Sequence, residues 1–455
     1  MSSITETNAR GEDWRAALAR LLDAMSMPAL AMLLSFASGA LIIWITSGSL
    51  ESVFVAYAGM INGAFFKTRG FSETLVAMTP YIWLSLGLAV GFKAGLFNIG
   101  AEGQFYIGAI SAAWAGIVFT GLPTFIHLPL VILAGALGGA IWAGIPALLK
   151  VRTGAHEVIT TMMMNYIAFR FTEYLVSVPL RDTKSTAVQT LRVSPNAELW
   201  SLYQIPERLQ DPLNALFVAF IFAFVGWTLT EWILVRPDFV QRIGSAMRRH
   251  TIAVGIGLAV GVITFIVLPV LTRIWWPFSD QYDRMHIGIF LAIVAAIGIW
   301  RLLWKTTIGF EMRTAGANPD AAKYAGINSA RTIIITMLIS GGLAGIAGTI
   351  EVLGVSICRC LPLFFSSGYG FDSIAIALIA KNNPIGIIGA AFLFGAMRNG
   401  SDLMELQSGV SKYIISLIQA LVLLFVAAPS MVRYLLRMKA ARKVETEQLT
   451  RGWGG

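Results

Sequence analysis

Charge is the scarcest commodity in this chain. Only 13% of its 455 residues are charged, while 56% are hydrophobic. Soluble domains carry about a quarter of their residues as charges, so a water-soluble fold is excluded. Cysteine is almost absent. The two present, Cys358 and Cys360, stand as CRC, which is neither a CxxC pair nor a zinc spacing, and they read as structurally incidental. The four histidines, His127, His156, His250 and His286, fall at span ends or in loops, as interfacial rather than catalytic residues. No GxxxxGK[ST] phosphate loop occurs, so this chain should not hydrolyse nucleotide itself. HExxH, GxSxG and zinc-type clusters are also missing, which argues against a membrane-embedded enzyme and against a bound metal. The net charge of +9 does not lie on one soluble face. It is spread over loops and tails, where the positive-inside rule accounts for it better than nucleic acid does.

What the chain does have is a succession of apolar runs, several of about twenty residues, each long enough to cross a bilayer as a helix. The fold class is an all-α polytopic membrane protein surrounded by lipid, with about ten transmembrane helices plus broken or re-entrant segments. Residues 1–27 read as a cytoplasmic lead-in with no cleavable signal peptide. The membrane domain covers 28–430, and 431–455 form a basic cytoplasmic tail. The expected spans are 28–47, 73–92, 105–119, 128–149, one from Glu157, 213–235, 251–271, 286–304, 332–353 and 413–428. Residues 51–71 are expected outside the membrane, 177–211 as an external loop, and 370–400 as a re-entrant hairpin broken at Lys381, Asn382, Asn383 and Pro384. By this layout about 20 Lys and Arg fall on one side and about 9 on the other, which makes the richer side and both termini cytoplasmic.

Three features of this layout carry functional meaning. The first is the polar stretch Lys305 to Arg331. Asn318 is a good N-cap, Pro319 fits the first helical position, and Asp320 meets the positive end of the helix dipole. Ala321, Ala322 and Lys323 continue the helix and Gly326 stops it. A capped helix lying at the cytoplasmic surface suits a docking knob for a soluble partner, or is an ordinary loop helix. The second is GFKAGLFNIGAEGQ, residues 91–104, where four glycines accompany Asn98, Glu102 and Gln104 between apolar runs. Irregular backbone at membrane depth persists only where protein buries it or water lines it. This stretch is therefore a candidate pathway segment, or else a cytoplasmic turn. The third is a short internal similarity between residues 133–145, LAGALGGAIWAGI, and 339–350, ISGGLAGIAGTI. Each is followed by an acidic residue and then an Asn, Glu157 with Asn165 and Asp372 with Asn382. Copies running in opposite directions would form an inverted repeat, whose site lies between the repeats. Asn98, Glu102, Gln104, Asn165, Asp372, Asn382 and Asn383 are thus candidates for pathway or gating positions, or for hydrogen bonds that stabilise helix breaks.

Four motifs in order, GLFNIGAEGQFYIGA (95–109), HEVITTMMMNYIA (156–168), KTTIGFEMRTAGANPDAAKYAGI (305–327) and GFDSIAIALIAKNNPIGI (370–387), give the chain a family resemblance. It resembles the membrane permeases of ABC importers for branched-chain amino acids, ribose and nucleosides, most of all the nucleoside and simple-sugar branch. The resemblance implies two permease subunits, often non-identical, forming one pathway. It implies a cytoplasmic ATPase that binds the ATP, and an extracytoplasmic substrate-binding protein, commonly lipid-anchored. No cofactor is implied on this chain, and its place is the cell membrane. The loop containing Arg313, Asn318, Pro319, Asp320, Ala321, Ala322, Lys323 and Gly326 is similar to the importers' coupling helix. The family pattern EAAxxxG here has Asp320 in place of Glu, and the downstream Ile-x-Leu-Pro is absent. Residues 213–271 look like an inserted helical hairpin. The function so implied is ATP-driven uptake of a nucleoside or simple sugar. The rivals are a stand-alone secondary transporter or channel, and a permease for ribose or branched-chain amino acids.

Overall fold

A computed structural model describes residues 26–234, 245–428 and 431–432 of the chain. Most of the expected lead-in, nearly all of the basic tail and the first part of the basic loop 236–250 lie outside the described residues. Within them no strand occurs, only three isolated β-bridges, which is what lipid demands of a chain that must satisfy its backbone internally. The helices are α1 (Ser26–Ser47), α2 (Leu50–Ile61), α3 (Gly70–Lys93), α4 (Ala101–Val118), α5 (Thr124–Thr153) and α6 (Glu157–Ser177). After a long packed loop come α7 (Ile205–Arg208), α8 (Pro212–Leu234), α9 (Ala246–Ile274), α10 (Gly288–Lys305), α11 (Thr307–Ala317) and α12 (Pro319–Tyr324). The chain closes with α13 (Ser329–Ile350), α14 (Tyr369–Ile379), α15 (Pro384–Ser408) and α16 (Tyr413–Ala427).

Seven helices are long and apolar enough to span a membrane: α1, α3, α5, α8, α9, α10, and α13 with the π-turn that extends it. The sequence suggests about ten. Of the other three, α4 opens on Glu102 and Gln104, α6 carries Asn165, Arg170 and Glu173, and α16 is only 15 residues long.

The core forms around α3 and α13. In α3 every residue from Met78 to Gly91 is buried, whereas α9 buries only four residues and turns large aliphatic side chains outward. Helices in lipid gain little from the hydrophobic effect on meeting, so close contact depends on small residues. The two similar stretches supply them and pack against each other. A methyl group added at Gly345 would stand 2.1 Å from the Gly135 carbonyl oxygen, and one at Gly139 would stand 2.2 Å from that of Gly341. Gly135 faces Thr349 and Gly144 faces Leu338, so α5 and α13 run antiparallel where they cross. Gly108 of α4 joins them, since its added methyl would lie 2.3 Å from the Gly345 Cα.

Three segments hold more structure than the sequence reading gives them. Residues 51–71 are mostly helical. α2 runs into a π-turn, Asn62–Phe66, and packs along α15, where Gly59 and Gly63 meet the backbone of Met404 and Gly400. The Tyr57 hydroxyl donates to the Phe36 carbonyl at 2.5 Å, which lets a semi-polar helix lie against α1. Residues 370–400 do break where expected, between Ile379 and Pro384, but the two arms are unequal: α14 has 11 residues and α15 has 25, with Asn383 as its cap and Pro384 in its first turn. Finally, Cys358 and Cys360 are joined in a disulfide around Arg359, which has a left-handed backbone (φ 51°).

α8 and α9 form a hairpin whose two arms pack on each other, with Gly257 and Gly261 against Ala223 and Trp227. It is tied to the rest by a 2.7 Å ion pair from Arg301 of α10 to Glu231 and by Ala215, Val218 and Leu268, which pack with Trp200, Leu209 and Ile287, while His250 bonds Glu231 at 2.5 Å within the hairpin.

Candidate functional site

Two helices begin in the interior rather than at a bundle end. α3 ends at Lys93, and the chain re-enters through the non-helical residues 94–100 before α4 starts. Backbone polar groups in that stretch need partners, and the conspicuous polar side chains provide them. Asn98 donates to Gln104 and to Ser340, each at 2.9 Å, and accepts from the Gly100 N–H at 3.0 Å. Asn165 of α6 accepts from the Gly103 N–H at 2.8 Å and donates to the Ile99 carbonyl at 2.9 Å. These bonds splice the break to α6 and α13.

The second interior start is α14. Its free N-terminal N–H groups face Glu102 on the first turn of α4, and the Gly370 N–H donates to that carboxylate. Ser366 donates to the same carboxylate at 2.5 Å. Gly370 is required by this approach, since an added methyl would lie 2.6 Å from the Glu102 backbone nitrogen. Two residues on, Asp372 accepts from the Tyr81 hydroxyl of α3 at 2.9 Å. That hydroxyl receives Arg398 of α15 at 3.3 Å, and the Arg398 guanidinium lies 3.9 Å from the centre of the Tyr369 ring.

This chain of charges borders a cavity of about 480 Å³, lined by Glu351, Arg284, Arg398, Tyr369, Phe365 and Gln189 among others. The volume is within the range of ~300–1,000 Å³ usual for small-molecule sites. Glu351 opens the π-turn Glu351–Val355 at the end of α13, a local widening of the kind that often marks functional sites. The last carbonyls of that turn are satisfied by arginines. Arg359 donates to Leu353 at 3.0 Å and to Gly354, and Arg284 donates to Val355 at 3.1 Å while forming a two-pronged ion pair with Glu73 of α3. Phe365 is held by Tyr106, 4.5 Å between ring centres, and by Phe105 at 5.3 Å. The loop 356–368, with its disulfide, forms one side of the cavity and bonds to the 177–211 loop through the Leu361 N–H to Thr190 and the Leu363 N–H to Val188, each at 3.0 Å.

The seven pathway candidates therefore divide. Glu102 and Asp372 belong to the charged chain beside the cavity. Asn98, Gln104 and Asn165 form the splice around residues 98–104. Asn383 caps α15, and Asn382 sits in the preceding turn with φ 56° and a buried side-chain oxygen that has no partner. None of the seven lines the cavity. The lining charges Glu351, Arg284 and Arg398 escaped sequence reasoning. Two of them carried a usable signal, because Glu351 and Arg398 sit inside apolar runs, where an ionisable residue is costly and so points to function.

At the bundle end where α3 finishes, the polar stretch forms a second feature. Asn318 accepts from the N–H groups of Asp320 at 3.1 Å and Ala321 at 3.0 Å, Pro319 opens α12, and Gly326 follows with φ 79°. Ala322 is buried, while Asp320, Ala321, Lys323 and Tyr324 are exposed. α11 anchors this knob. Gly316 meets the Lys93 carbonyl and the Gly95 nitrogen, and Arg313 donates to the Leu303 carbonyl at 2.8 Å. At the other end, Arg69 bonds Asp280 and thereby holds that carboxyl below its usual range.

Known proteins resemble this chain over nearly its whole length. It is 32% identical to the guanosine ABC transporter permease protein NupP of Bacillus subtilis over 419 residues, 92% of this chain and 97% of that one. It is 28% identical to the nucleoside ABC transporter permease protein NupB of Lactococcus lactis over 439 residues, 94% and 97% of the two chains. The glucose ABC transporter permease protein TsgB13 of Haloferax volcanii is 28% identical over 370 residues, 81% of this chain and 79% of that one. No solved structure matches the chain. Residues 70–427, from the start of α3 to the end of α16, match the family described as the branched-chain amino acid transport system / permease component, and the chain belongs to that family.

Proposed function

We propose that this chain is the membrane-spanning permease subunit of an ABC importer that carries a nucleoside. The observation that supports this most is the similarity to NupP across 97% of that permease's length. The chamber agrees with it, since Phe365 offers an aromatic ring while Glu351 and Gln189 offer polar contacts. A simple sugar is the second reading, favoured by the similarity to TsgB13.

On this reading the chain hydrolyses nothing. A separate cytoplasmic ATPase binds ATP and engages α12, whose exposed face projects from the bundle. α11, clamped to the end of α3, passes the movement to the helices around the chamber, which rock between outward- and inward-facing states. A second permease subunit completes the pathway, and an extracytoplasmic binding protein delivers the solute. Glu102 and Asp372 act as gating positions, because they join the starts of α4 and α14 to α3, and any rocking of these helices must alter those bonds.

The test is uptake of labelled guanosine, adenosine and ribose in cells with and without the gene, energised and ATP-depleted. Guanosine uptake that needs both the gene and ATP is the expected result. Uptake of ribose alone would move the assignment to sugars. Gene-dependent uptake that survives ATP depletion and follows an ion gradient would replace the importer with a secondary transporter.

A further inference from the structure

Glu351 is the one carboxylate lining the chamber, and its position is unusual. It is 8% exposed, its Oε2 has no hydrogen-bond partner, and it takes part in no ion pair among the described residues. The other acidic side chains nearby are all engaged: Glu102 by Ser366 and Gly370, Asp372 by Tyr81, Glu73 by Arg284. A buried carboxylate oxygen without a donor is expensive unless something supplies one for part of the working cycle. The donors on hand are otherwise committed. Arg284 is held by Glu73 and the Val355 carbonyl, and Arg398 reaches Tyr81 and covers the Tyr369 ring.

We propose that Glu351 receives the solute in this chamber, its carboxylate accepting from the adjacent hydroxyl groups of a ribose ring. An ionised carboxylate only accepts, so its complement is a group rich in donors, and a vicinal diol presents two O–H groups side by side. Arg284 and Arg398 also line the chamber, but each is held by other partners, so Glu351 is the lining charge left to meet a solute rich in donors. A ring held by Tyr106 and Phe105, that of Phe365, gives the solute an apolar face to lie against. The inference rests on the nucleoside-or-sugar reading and names the residue and the part of the solute that meet.

The experiment uses the complete transporter in proteoliposomes, with unaltered binding protein, and compares Glu351→Gln with the parent. The probes are guanosine and 2′-deoxyguanosine, with ATPase activity before solute addition as the check on folding. Loss of a charge-assisted bond predicts that guanosine uptake falls about tenfold while 2′-deoxyguanosine uptake falls about twofold or less, so discrimination between them shrinks. Glu351→Asp, which keeps the charge, should restore part of the difference. Equal losses for both solutes, or no loss, would overturn the proposal and leave Glu351 as a structural charge. If the parent takes up neither nucleoside, the nucleoside reading fails by itself, and D-ribose against 2-deoxy-D-ribose decides the role of Glu351 in the same way.

Discussion

Asn165 and Glu351 illustrate two opposite uses of a buried polar residue. Asn165 is fully committed, since one end accepts from Gly103 and the other donates to Ile99, so its side chain completes a backbone that leaves its helix inside the membrane. Glu351 is uncommitted and faces a cavity. The same composition signal, a polar residue in an apolar run, covers both, and only partners brought from distant elements tell them apart. Asn165→Ala would strand one N–H and one carbonyl, each costing about 1–3 kcal/mol when buried. The expected result is a lower thermal unfolding temperature in detergent with the KM for uptake unchanged. A raised KM at unchanged thermal stability would instead make Asn165 a solute contact.

At the scale of elements, the docking helix shows how far local rules reach. Asn318, Pro319 and Gly326 are start and stop signals that act within one turn, and α12 forms between them as the sequence predicts. Long apolar runs such as α3, α5 and α13 are equally legible, because length and hydropathy alone decide them. Elements whose apolar surface is supplied by a neighbour are not. α2 reads only as a semi-polar segment, and its fit to α15 and α1 through Gly59, Gly63 and Tyr57 depends on distant partners. The break at 380–383 is legible in Asn383 and Pro384, but the 25-residue length of α15 is not, because it runs on past Arg398 and Asn399 into a polar end. The chamber itself was illegible, since Arg284, Glu351 and Arg398 come from different parts of the chain. For α12 the expected outcome follows from its size. With six residues and one cap, it should lose stability by about 1 kcal/mol for each Ala→Gly change at Ala321 or Ala322, and about as much for Asn318→Ala. In the assembled transporter such variants should keep ATPase activity while uptake per ATP falls severalfold. Unchanged coupling in the Ala321→Gly, Ala322→Gly double variant would remove α12 from the drive.

The whole molecule has two unlike ends. The end carrying α11 and α12 gathers Lys93, Lys305, Arg313, Lys323 and Arg331, in keeping with the positive-inside rule. The opposite end carries the Cys358–Cys360 disulfide in the loop that lines the chamber, and disulfides persist in oxidising compartments. Arg69–Asp280 and Arg284–Glu73 pairs tie the loop before α10 to the start of α3 on that side. Both signs agree, so we infer that the chamber opens beneath the outer surface and that α12 projects into the cytoplasm. A pair of introduced cysteines tests this directly. Tyr324 is 97% exposed at the tip of α12, and Ser411 is exposed in the turn between α15 and α16 at the other end. In intact cells a membrane-impermeant maleimide should label Ser411→Cys and not Tyr324→Cys, and permeabilisation should make the second as reactive as the first. The native cysteines, held in their disulfide, should contribute no background. The reverse pattern would invert the molecule. An importer's ATPase could not then reach α12, and the coupling role would fall with the orientation.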